Sequence, residues 1–147
     1  MSRIWFPLLL IFTLAACSQP AAPAATPVPV FQKWTTSQVI AAFKAASLEA
    51  EDARPMTKDD YGLAPMLAVE ATHFTIPSLC ADCGGRLFSF ETPEKLETTK
   101  IFYEKLSESS AAYFSWVFIK DNILVQINGD LPDTQAQKYQ DALNSLK

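Results

Sequence analysis

Two cysteines separated by two residues, in Cys80-Ala81-Asp82-Cys83-Gly84-Gly85, form the only run in this chain with the spacing of a chemical motif. The spacing serves three chemistries: a disulfide across a short loop, a redox dithiol, or half of a metal knuckle. A disulfide over so short a loop stabilises by about 2 kcal/mol on the loop-entropy model. A redox dithiol needs its nucleophilic sulfur at a helix N-terminus, where the dipole lowers the thiolate pKa. Here Gly84-Gly85 leads instead into a strand-like run. A closed metal site wants four ligands and normally two such pairs. The chain offers only His73 as a further soft ligand and Asp82 as a weak oxygen donor. His73 is the sole histidine, and its alternation with Phe74 and Ile76 predicts a surface or edge position on a strand. Hydrolytic triads would have to use it, and no Gly-x-Ser-x-Gly elbow accompanies it. The acidic pairs Glu51-Asp52 and Asp59-Asp60 lack the alternating oxygens and the glycine of a calcium loop and read as solvated loop charges. No catalytic constellation emerges.

The third cysteine stands in a different setting. Arg3 precedes an apolar run from Ile4 to Leu14, interrupted by Pro7 and Thr13, and Leu14-Ala15-Ala16-Cys17 follows. A positive end, an apolar core and small residues before a cut site are the marks of a secretory signal. The core is shorter than the roughly 20 residues of a spanning helix. Leu14-Ala15-Ala16-Cys17 resembles the lipobox of bacterial lipoprotein precursors. The resemblance implies a diacylglyceryl thioether on Cys17, cleavage before it and acylation of the new amine. Residues 1–16 are then a signal peptide. Two or three acyl chains, at about 0.8 kcal/mol per buried methylene, hold such a protein at the cell membrane. Ser18, in place of an aspartate, permits outer-membrane sorting in a host with two membranes. With Cys17 lipidated, Cys80 and Cys83 remain as an even pair in an oxidising compartment, which favours the disulfide over the metal and redox readings.

The chain has 147 residues, 49% of them hydrophobic and 19% charged, enough for one domain with a core. Loss of Arg3 with residues 1–16 takes the net charge from −4 to −5, and no basic block remains. Such a surface does not neutralise phosphates, which excludes a nucleic-acid partner and a second, electrostatic attachment to anionic lipid. Residues 17–33, rich in proline and alanine, predict an extended tether rising about 3.1 Å per residue. Residues 34–147 are then a single globular domain.

Within that domain Thr35 and Gln38 have capping-box spacing, and Val39, Ile40, Phe43 and Ala46 line one face of a helix running to about Ala50. The acidic run Glu49, Glu51, Asp52 and then Pro55 predict its end. His73–Ile76 and Arg86–Phe90 read as strands, and Thr92-Pro93 starts a second helix carrying Leu96, Thr99, Tyr103 and Leu106. Asp121-Asn122 reads as a two-residue hairpin loop pairing Phe118 with Val125 and Trp116 with Ile127. One face of that hairpin is apolar. The other carries Val117, Ile119 and Leu124 and then fades to Ser115, Gln126 and Asn128, as for a sheet covered mainly on one side. Pro132 opens a last helix with Ala136, Tyr139, Leu143 and Leu146 inward. The expected fold is α+β, in the order α-β-β-α-β-β-α, with a four-stranded antiparallel sheet of two hairpins under about three helices.

Arg86, Ser115, Gln126 and Asn128 compose a polar strip on the outer sheet face, either a binding face or ordinary polar edge residues. The stretches Val39–Ala45, Phe74–Leu79, Gly84–Phe90, Phe114–Phe118 and Asp121–Gly129 resemble a group of small secreted or lipid-anchored bacterial proteins sometimes labelled stress proteins. That resemblance carries no catalytic residues or cofactor with it. The sequence thus points to a non-catalytic, lipid-anchored module outside the cytoplasm that binds an envelope protein or a small ligand. The alternative is a thiol-redox or metal-binding protein built on Cys80 and Cys83.

Overall fold

The structure, a computed structural model, describes residues 31–147; residues 1–30, and with them Cys17, the expected signal segment and most of the expected tether, lie outside the described residues. It is an α+β fold with one five-stranded, wholly antiparallel sheet in the order β1-β2-β3-β5-β4. The strands are β1 (Glu51–Pro55), β2 (Glu70–Thr75), β3 (Gly84–Ser89), β4 (Ser115–Lys120) and β5 (Ile123–Asn128). The helices are α1 (Thr36–Ala45), the one-turn α2 (Lys58–Tyr61), α3 (Pro93–Ser109) and α4 (Asp133–Asn144), with a 3₁₀ turn at Ala111–Tyr113. Among the described residues no helix is long and apolar enough to cross a membrane.

The capping box forms as expected. Thr35 Oγ1 accepts from Gln38 N, and Gln38 Oε1 accepts from Thr35 N at 2.9 Å. α1 ends five residues earlier than its apolar pattern suggests. Ser47 takes the left-handed conformation at φ 58°, and the Leu48 amide donates back to the Phe43 carbonyl at 2.9 Å. That is a Schellman closure with serine where glycine is usual, so the local signal was weak.

The chain that follows corrects the expected four strands to five. β1 is fully exposed, made of Glu, Asp, Ala, Arg and Pro, and pairs only with β2. Charge, proline and a bulge are how an edge strand avoids recruiting another chain, and they also erase the hydrophobic alternation that identifies a strand. α2 adds a fourth helix to the expected three. Its carboxylate Asp60 accepts from the Thr57 amide at 2.6 Å.

β4 and β5 pair in the expected register, Phe118 opposite Val125 and Trp116 opposite Ile127. β5, however, sits between β3 and β4, where it is buried along almost its whole length. The sheet is covered on both sides rather than mainly on one. α1 and α4 cover the first face, around Phe43, Phe74, Leu87, Val125, Ile127 and Tyr139. α3 covers part of the second, around Phe88, Phe90, Leu96, Tyr103 and Leu124. Ile101, on the margin of the α3 stripe, points outward.

The chain ahead of α1 is tied to the fold. Phe31 packs against the second core, and the amides of Lys33 and Trp34 both donate to Asn122 Oδ1, at 3.0 and 2.8 Å. Asn122 therefore does something other than supply a positive φ to the turn, which only Asp121 does, at 50°. Its buried amide fastens the incoming chain to the sheet.

Candidate functional site

Antiparallel register sets one cross-strand row on the second face: Arg54 beside His73, His73 beside Arg86, and Arg86 beside Gln126. β1 makes β2 an interior strand, so His73 is half-buried between two arginines rather than at an edge. Burial first, then the charges of Arg54 and Arg86, hold its pKa below the ordinary imidazole value. His73 is consequently neutral at pH 7.

Asp60 organises one end of the row. Its carboxylate makes a two-pronged pair with Arg54, at 2.7 and 2.8 Å, and its main-chain carbonyl accepts from Arg86 Nε at 2.9 Å. The Arg54 hydrogen bonds, then those from Thr57, hold the Asp60 carboxyl far below the usual carboxylate range. A depressed native pKa means stability that is whole above the unfolded value of about 4 and lost as pH falls through the native one. Urea midpoints measured from pH 6 down to pH 2 are expected to fall less steeply for Asp60→Asn than for the native protein. Parallel curves would break the link between this pair and acid sensitivity.

Arg86 itself has no carboxylate partner among the described ion pairs. Besides the Asp60 carbonyl, its guanidinium meets Gln126, with Nη1 donating to Oε1 at 2.8 Å. The two residues form the shared floor of two adjoining clefts. The larger, about 290 Å³, is walled by Tyr103 and Leu106 of α3, by Tyr113 and Phe114, and by Ser115 and Asn128. The smaller, about 110 Å³, lies toward His73, Asp82 and the two glycines Gly84 and Gly85. All four residues of the polar strip, Arg86, Ser115, Gln126 and Asn128, thus line one cleft. They do so because α3 covers only the apolar end of the second face, leaving the polar end open. Gly129 lets Phe114 close the wall, since a Cβ there would meet the Phe114 carbonyl.

Tyr103 is the lining residue that the sequence pattern hid, because it lies in the apolar stripe of a helix. It is 5% exposed, and burial pushes its hydroxyl up to about 12. The hydroxyl is therefore a donor at every physiological pH.

Cys80 and Cys83 form a disulfide, their Cα atoms 5.0 Å apart, in the turn between β2 and β3. Neither begins a helix; Cys83 leads directly into β3. Asn128 Nδ2 donates to Cys83 Sγ at 3.7 Å, and Asn128 Oδ1 accepts from the Asp130 amide at 2.8 Å. The disulfide thus abuts one wall of the cleft. Among the described residues no group of three or more His, Cys, Asp or Glu side chains converges as metal ligands would.

Compared with protein-family models, with curated proteins and with solved structures, the chain matches none.

Proposed function

We propose that this chain is a bacterial envelope lipoprotein, anchored through an acylated Cys17, whose domain is a non-catalytic binding module for a small ligand held in the cleft over Arg86. The observation that carries the reading is the open polar end of an otherwise covered sheet face. There, side chains from β3, β4 and β5 and from α3 meet around a guanidinium with no carboxylate partner among the described residues. A protein needing only stability would cover that end with apolar groups, because an arginine left half-buried is costly unless paired. Binding sites combine such a small polar set with an apolar wall, here Leu106, Tyr113 and Phe114. The anchoring half of the reading rests on the lipobox resemblance and on a Pro/Ala-rich spacer able to stand the domain off a membrane.

Two measurements test the two halves. Mass spectrometry of the protein isolated from envelopes is expected to find a chain beginning at acylated Cys17. A retained residue 1–16 segment or an unmodified sulfur would remove the anchor. A screen of small-molecule fragments by amide and side-chain NMR is expected to gather its hits on Arg86, Ser115, Gln126 and Asn128. Hits confined to other surfaces would dismiss the cleft as the site.

A further inference from the structure

The hydrogen-bonding groups of the larger cleft are unbalanced in one direction. Arg86 spends Nε on the Asp60 carbonyl and Nη1 on Gln126, so both protons of Nη2 lack a partner among the described residues. Gln126 turns its oxygen to the guanidinium, which turns its amide nitrogen away from it. That nitrogen donates to no described residue, although Gln126 is only 6% exposed. The Tyr103 hydroxyl likewise donates to no described residue, and Tyr103 is 5% exposed. Among the described residues no side-chain nitrogen or oxygen sealed from solvent goes unpartnered. Both donors must therefore reach solvent, and both residues line this cleft. Two nearly buried side chains, Gln126 and Tyr103, and the half-buried Arg86 thus turn donors into one cleft, where only solvent or a bound acceptor can receive them.

We infer that the cleft binds the carboxylate of a small organic acid, with one carboxylate oxygen on Arg86 Nη2 and the other on Gln126 Nε2 and the Tyr103 hydroxyl. This rests on the reading of the cleft as a ligand site. Charge selects a carboxylate over a phosphate. One free guanidinium balances one negative charge, and the carboxylates of Asp130 and Asp82 lining the two clefts oppose a second. Shape selects the remainder of the ligand. Leu106, Tyr113 and Phe114 offer an apolar wall, Tyr113 and Phe114 being 58% and 43% exposed. A volume of about 290 Å³ suits a compact aromatic or branched aliphatic body and leaves little room beyond it.

The test uses the protein as cells produce it from the full chain, purified in detergent. It is titrated separately with phenylacetate, isovalerate, the neutral isostere phenylacetamide and inorganic phosphate. Side-chain NMR signals of Arg86 Nε and Gln126 Nε2 and the thermal midpoint are read together. At least one of the two acids is expected to move both side-chain signals and raise the midpoint. Phenylacetamide and phosphate are expected to bind at least ten-fold more weakly than that acid. Arg86→Lys keeps the charge but loses the fork and is expected to weaken acid binding at least ten-fold. Tyr103→Phe removes a single oxygen, so it preserves the core, and is expected to weaken binding several-fold without lowering the midpoint of the free protein. Equal binding of acid and amide, or unchanged binding in both variants, would overturn the carboxylate assignment. If neutral fragments move the cleft signals and the acids do not, the ligand class falls and the binding module stands. If neither acids nor fragments move them, both fall.

Discussion

Replacing Asn122 with alanine is expected to lower the unfolding free energy by about 3 kcal/mol and the thermal midpoint by roughly 10 °C. The amide is fully buried and makes four hydrogen bonds. Oδ1 accepts from the amides of Lys33 and Trp34; Nδ2 donates to the Trp34 carbonyl at 2.7 Å and to Ser89 Oγ at 2.9 Å. Truncation removes the acceptor and the donor of the Asn122 amide at once and leaves main-chain groups of the incoming segment without partners. Each buried orphan costs about 1–3 kcal/mol, reduced where water can enter. Asn122→Asp is expected to be no milder, because it keeps the acceptor, loses the donor and buries a charge. Chemical denaturation measures the loss, and hydrogen exchange at Lys33 and Trp34 locates it. A change below about 1 kcal/mol would mean that the chain ahead of α1 is held by something else.

Phe43→Ala is expected to cost about 4 kcal/mol, the larger of the two effects, because the whole ring is sealed in the first core. Phe43 meets Tyr139 edge-on at 5.1 Å and Phe74 at 5.9 Å, so it joins α1, α4 and β2. Removing it leaves a cavity among side chains fixed by three elements, where collapse is difficult. The urea midpoint should fall while its slope stays constant. Ile101→Ala provides the contrast. Its side chain lies at the surface of α3, and its loss should change stability by less than about 0.5 kcal/mol. Equal effects at the two positions would show that the first core is not where the stability resides. Phe43 lies across the sheet from Arg86, so the folded fraction of the variant should retain the cleft.

Local patterns in the chain were sufficient wherever one interaction at short range decides the outcome. The Thr35 capping box, the Thr92-Pro93 helix start and the Trp116–Ile127 and Phe118–Val125 pairs all follow from neighbours a few residues apart. Alternation along the strands also determined which side chains share a face, and so which four polar residues, Arg86, Ser115, Gln126 and Asn128, belong together. The covalent chemistry expected of Cys17 is likewise a property of the sequence around it, outside the described residues.

Tertiary structure decided the rest, for reasons that no window of sequence contains. β1 is a strand because β2 offers it an edge, although its five exposed residues carry no strand signal. Asn122 looked like a turn residue, yet its position depends on a segment 88 positions earlier. Tyr103 reads as core by its spacing; only the placement of α3 over part of a sheet face brings it into the lining of the cleft over Arg86. A helical repeat specifies which side a residue faces, whereas where the covering helix stops depends on packing across the sheet. That stopping point is what leaves an opening over the polar strip.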